Sequence, residues 1–199
     1  MSEALVDPSV SRMKFMREVE QFKALEDEHR RRGWFLLKAD FPTVHVLFTA
    51  PKLRPAAVLF GVVLDFTNYD LWAPSVQVVD PFTGKPYTQR ELPVRFFQAR
   101  ENPTEFNIPG MPPGQRFIVQ QDLMQAYQPD EPPFFCLPGV REYHQNPAHS
   151  GDSWLLHRKS GEGSLFNLLE KLHRYGVEPL VGYQFGMQIM GFQQREPSP

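Results

Sequence analysis

The chain has 199 residues, of which 41% are apolar and 22% charged, and a formal net charge of −2. That balance suits one globular domain spanning residues 1–199 and excludes the basic surface a nucleic acid would require. No apolar run approaches the roughly 20 residues that span a bilayer. The opening "MSEALVDPSV" lacks the basic flank and apolar stretch of a secretory signal, and the single cysteine rules out an internal disulfide, so a cytoplasmic location is expected.

Residues 7–33 read as a first helix. Asp7 can cap it, Pro8 suits its first position and Gly33 suits its stop. Met13, Met16, Val19, Phe22 and Leu25 recur at roughly helical spacing and predict the buried stripe. Arg30, Arg31 and Arg32 fall in the last turn, where positive charge complements the helix dipole, and read as a solvated end. Residues 34–81 predict a β-meander from three strand-like runs, "GWFLLKADFPTVHVLFTAP", "PAAVLFGVVLDFT" and "PSVQVVDP". Short proline-marked joints between them favour antiparallel pairing.

Residues 82–130 carry turn chemistry throughout, with strand-like pieces at 94–97 and 116–119. They predict an irregular insertion packed on the sheet through Phe96, Phe97 and Phe117. Residues 164–176 predict a second helix, capped by Ser164, striped by Phe166, Leu169 and Leu172, and closed by Gly176 and Pro179. "LVGYQFGMQIMGF" alternates weakly, as a last strand or an apolar tail, and residues 193–199 read as a flexible end.

The chemistry concentrates in residues 131–158. Cys136, Glu142, His144 and His149 follow the spacing C-x5-E-x-H-x4-H. Thiolate, carboxylate and imidazole are zinc ligands, and four of them complete a tetrahedral shell. Pro138, Gly139, Pro147 and Gly151 let the segment fold back on itself. On an extended backbone Glu142 and His144, two apart, would face one side. The same residues also suit a nucleophilic thiol: His144 or His149 can lower the Cys136 pKa or act as base, and Glu142 or Asp152 can hold the imidazole's tautomer. A third reading makes Cys136 core filler, since cysteine is often simply buried and Phe134, Phe135 and Leu137 surround it. Downstream, Trp154, Leu155 and Leu156 read as a short core-facing strand, His157 and Arg158 as a solvated edge, and "GEG" lacks the context of a phosphate loop.

"CLPGVREYHQNPAH" followed by "GDSWLL" resembles a bacterial metal-binding family named for its Cys-Glu-His-His set (CEHH), over about twenty residues. The resemblance implies Cys136, Glu142, His144 and His149 as metal ligands, with zinc the expected metal. It also implies a place beside bacterial ubiquitin-like modification genes: a ubiquitin-like protein, its activating enzyme, a conjugating enzyme and a JAB-type metallopeptidase, some of them acting against phage. Over most of the chain, the helix, the meander and "FTNYDLWAPSVQVVDP" are similar to a ubiquitin-conjugating (E2-like) core. That similarity implies an α+β fold with a sheet between an N-terminal and a C-terminal helix. Cys136, followed by Leu137, stands where such enzymes carry their acceptor thiol. Two departures stand out: the upstream His-Pro-Asn triplet is missing, leaving Asn146 as the substitute, and a long insertion precedes the cysteine. The expectation is a metal-binding, E2-like component of such a system. The alternatives are an active transferase using Cys136, His144, His149 and Asp152, and a non-catalytic adaptor.

Overall fold

A computed structural model describes residues 5–101, 118–146 and 152–184. Asp7 opens helix α1 (Pro8–Lys23), its carboxylate accepting from the Ser9 amide, with Pro8 at the first position. The helix does not run on to Gly33. It breaks at Ala24 and Leu25, and a separate short helix, α2 (Glu26–Arg31), follows. Gly33 then turns the chain at φ +87°, and a Cβ there would lie 2.6 Å from the Thr49 carbonyl oxygen.

The buried stripe on α1 differs from the expected one. Ser11, Phe15, Glu18, Val19 and Phe22 are buried, whereas Met13 is 70% exposed and Met16 and Leu25 are exposed too. The stripe is rotated because Glu18 has partners deep in the fold. Its carboxylate accepts from the Leu165 amide at 3.1 Å and the Tyr69 hydroxyl at 3.5 Å. A carboxylate with such donors is tolerated where an unpaired one would not be.

Four strands form the meander: β1 (Trp34–Asp40), β2 (Thr43–Ala50), β3 (Ala57–Asp65) and β4 (Ser75–Val79). Neighbours pair antiparallel in the order β1-β2-β3-β4. The first strand-like run is thus two strands, because Phe41-Pro42 turns the chain between Asp40 and Thr43. Alternation is clean on β2, where Val44, Val46, Phe48 and Ala50 are buried. Phe48 stacks on Phe60 of β3 at 5.1 Å between ring centroids, and Phe60 meets Phe96 edge-on.

Among the described residues the insertion carries one small ribbon, β5 (Phe97–Glu101) with β6 (Ile118–Asp122), and a strand, β7 (Met124–Gln125), that pairs with β8 (Phe134–Phe135) of the cysteine segment. Phe96 is buried and Phe97 half-buried, while Phe117 lies outside the described residues. Ser164 caps helix α5 (Leu165–Leu172), its hydroxyl accepting from the Asn167 amide. Leu165, Leu168, Leu169 and Leu172 are the buried face, with Phe166 turned outward, and a π-helical turn (His173–Val177) ends the helix. The buried faces of α1 and α5 join those of β2, β3 and β4 in one cluster. The architecture is α+β, an antiparallel sheet with helices before and after it in the chain.

Candidate functional site

Strand β8 delivers the cysteine. Phe135 pairs with Met124, and the Cys136 amide donates to the Leu123 carbonyl at 2.8 Å. Phe135 and Leu137 are buried, but Cys136 between them is only half-buried. Burial nonetheless pushes its thiol pKa up.

The chain then turns through Gly139 (φ +96°), whose backbone presses against the Glu162 carbonyl so closely that no Cβ fits. Lys171 of α5 donates to the Pro138 carbonyl at 2.9 Å. Burial lowers the Lys171 pKa. Helix α3 (Arg141–Gln145) follows, and its first residue fastens the loop to the sheet. The Arg141 guanidinium donates to the carbonyls of Ala73, Asp65 and Thr67 and meets the Asp65 carboxylate at 3.2 Å.

Glu142 and His144 lie on this helical turn, not on an extended segment. Residues two apart on a helix do not face one another. Glu142 reaches β4, where its Oε1 accepts from the Ser75 hydroxyl. Its Oε2 is buried with no hydrogen-bond partner among the described residues. His144 turns the other way. Its Nε2 accepts from the Gly139 amide at 3.1 Å, so Nδ1 carries the hydrogen and donates to the Asp152 carbonyl at 2.8 Å. Both nitrogens are therefore engaged, and burial lowers the ring's pKa. In this arrangement His144 presents no lone pair to a metal. His149 lies outside the described residues, and among the described residues no three of His, Cys, Asp and Glu gather as a cation would need. Asn146 ends α3 in extended conformation.

Asp152 and its neighbours make the denser cluster. The Asp152 carboxylate accepts from the Tyr143 hydroxyl at 2.9 Å. The Tyr143 pKa is raised first by burial, then by that bond and by the negative charge of Asp152. Residues 154–156 are not a strand: Ser153 caps a helical turn, α4 (Trp154–His157). Trp154 is buried and donates to the Asp70 carbonyl at 2.9 Å, while Leu155 and Leu156 are 61% and 71% exposed. His157 is not a solvated edge either. It lies largely buried, its Nδ1 against the Glu162 carboxylate and its Nε2 3.9 Å from Asp152 Oδ2. The ring lies 5.1 Å from that of His144. Sequence reasoning missed the pairing of His157 with Glu162. The two residues lie five apart across a turn that matches no spaced motif. A cleft of about 280 Å³, lined by Trp72, Ala73, Arg141, His144 and Trp154 among others, opens beside the cluster.

A family profile described as Y4jH-like (Y4jH family) matches residues 6–180. The chain is 42% identical over 191 residues to the "Uncharacterized protein y4jH" of Sinorhizobium fredii (strain NBRC 101917 / NGR234), covering 92% of this chain and 90% of that protein. The match is to Y4jH, whereas the motif-based resemblance was to the Cys-Glu-His-His set. Among the described residues no helix is long and apolar enough to cross a membrane.

Proposed function

This chain belongs to the Y4jH-like family, and from its own residues we propose that it is a conjugating-enzyme-like component of a bacterial ubiquitin-like modification system, with Cys136 carrying the ubiquitin-like protein's C-terminus as a thioester. One observation carries the reading. The only cysteine is half-buried between two buried neighbours, at the end of the β7-β8 ribbon and just before α3. A filler cysteine would be buried along with Phe135 and Leu137.

The chemistry is acyl transfer. The Cys136 sulfur attacks the thioester that an adenylating activating enzyme holds, the enzyme's own thiol leaves, and an acceptor amine later displaces Cys136. A thiol with a raised pKa is a poor nucleophile and a slow target for oxidants at rest. Handover on this reading requires the partner to supply the proton acceptor. The partners are a ubiquitin-like protein and its activating enzyme. A JAB-type metallopeptidase and a role against phage extend the same proposal on the strength of the motif resemblance. Incubation with activating enzyme, ATP and a ubiquitin-like protein tests it. A thiol-sensitive adduct is expected, absent in Cys136→Ser, and its absence when the activating enzyme itself is charged overturns the reading.

A second reading keeps zinc on Cys136, Glu142, His144 and His149, favoured by the buried, unbonded Oε2 of Glu142. It requires His144 to exchange a backbone bond for the metal. A closed four-ligand site would rigidify the loop and add folding free energy rather than catalysis. Elemental analysis of protein never exposed to chelator separates the two: near-stoichiometric zinc supports the closed site, and a trace rejects it. If Cys136→Ala instead keeps both stability and partner binding, the adaptor reading stands.

A further inference from the structure

One pocket shares no residue with the cysteine segment. It encloses about 90 Å³ and is walled by three stretches of chain: Val6, Pro8 and Ser11 at the start of α1, Phe41 and Pro42 between β1 and β2, and Thr67 and Asn68 after β3. Each wall is tied to its neighbours. The Phe66 amide donates to the Pro42 carbonyl at 2.8 Å. The Asn68 side-chain oxygen accepts from the amides of Leu5 and Val6 at 2.9 and 3.3 Å. The Thr67 hydroxyl donates to the Asp65 carboxylate at 2.6 Å. Phe41 meets Phe15 edge-on, with ring centroids 5.5 Å apart. These bonds hold the pocket open without any occupant.

One wall carries an unspent group. Ser11 is 1% exposed, and its hydroxyl has no hydrogen-bond partner among the described residues. A serine inside a helix ordinarily bonds the carbonyl one turn back, and a buried hydroxyl that bonds nothing costs stability. Water is a poor filler, because a buried water needs roughly two to four polar partners. The Thr67 hydroxyl and the Asn68 oxygen are already committed. The lining residues include no ionisable side chain, so neither an anion nor a cation is matched there. A cavity of about 150 Å³ takes a six-carbon ring, so one of about 90 Å³ takes about four heavy atoms.

We propose that this pocket is a binding site for a small neutral group of about three carbons and one oxygen, whose oxygen bonds the Ser11 hydroxyl. Short alcohols and ketones have that chemistry as free molecules, and a threonine side chain has it on a polypeptide. The site is independent of the thioester reading. It predicts an opposition between stability and binding at Ser11: the hydroxyl weakens the empty protein and strengthens the filled one.

The test titrates the full chain with 2-propanol and with 2-methyl-2-propanol, following the backbone amides of Val6, Ser11, Phe41, Thr67 and Asn68 by NMR. At these amides 2-propanol should give saturating shifts, and the bulkier alcohol should bind more weakly. A solvent effect on exposed surface has the opposite order, because the more apolar alcohol acts more strongly. Ser11→Ala should weaken 2-propanol about threefold to tenfold while its urea midpoint stays at or above the native one. N-acetylthreonine methylamide separates the sources. Tighter saturation than 2-propanol at the same amides assigns the pocket to a threonine of a partner chain, and its exclusion assigns it to a free molecule. Shifts that do not saturate, or that follow the apolar order of the alcohols, overturn the proposal. So does unchanged affinity in Ser11→Ala, or a lowered urea midpoint, which would mean that the hydroxyl is already bonded in the empty protein.

Discussion

Two histidines show how differently the sheet core and the cysteine loop are built. His29 lies in the core, stacked between Phe22 and Trp34 with ring centroids at 4.1 and 5.1 Å. Neither of its nitrogens has a hydrogen-bond partner among the described residues. His144 lies in the loop region, and both of its nitrogens bond to backbone. Burial lowers the pKa of both rings. In the core, apolar packing forces the ring neutral. In the loop, the ring is a backbone brace that ties Gly139 to Asp152. The core is thus held by burial and the loop by specific polar bonds, and substitutions should separate the two.

The largest effect belongs to the core. Phe60→Ala removes a fully buried ring that touches Phe48 and Phe96, and should cost about 3–5 kcal/mol in urea unfolding. In the loop the largest loss should come from a polar group: Arg141→Ala strands the carbonyls of Asp65, Ala73 and Thr67 and should cost about 2 kcal/mol. Gly139→Ala must leave a positive φ and push on the Glu162 backbone, at about 1–3 kcal/mol. A loss in Arg141→Ala as large as that in Phe60→Ala would erase the distinction between burial and bonding.

Acid sharpens it. His29, His144 and His173 all have folded pKa values below the ordinary range, each first through burial. The unfolded chain then binds more protons below its histidine value of about 6.5. Stability should be full above that pH and fall as pH drops through it, until the folded groups titrate. Each such group contributes up to about 1.4 kcal/mol per pH unit. Urea midpoints at several pH values should show a shallower acid limb in His29→Leu, whose ring nitrogens have no bonds to lose. The smallest effect is expected at the surface of α4, where Leu155→Ala should change stability by no more than about 0.5 kcal/mol.

Legibility divides along the same line. The core elements were readable because they obey local rules. Asp7, Pro8 and Ser164 mark helix starts where the structure has them, and Val44, Val46 and Phe48 alternate inward. The α1 stripe was misread because Met13 and Met16 look like core residues, while Ser11 and Glu18 are buried through contacts far along the chain. The run through residues 34–50 reads as one piece although Lys38, Asp40 and Pro42 interrupt it where the turn lies. Around the cysteine, composition singled out some twenty residues but not their arrangement. Glu142 and His144 diverge because the segment is helical there, not extended. His157 and Glu162 join across a turn, a pairing that no repeat or spacing announces.

Glu18 adds a constraint on how the molecule is made. Its carboxylate on the first helix binds the Leu165 amide, 147 positions later. Until the ribosome has released that late segment, an anion waits in an apolar seam with little to hold it. A nascent fragment ending before Leu165 should thus stay loose and open to proteases, and the N-terminal half should set only when the C-terminal helix arrives to close it.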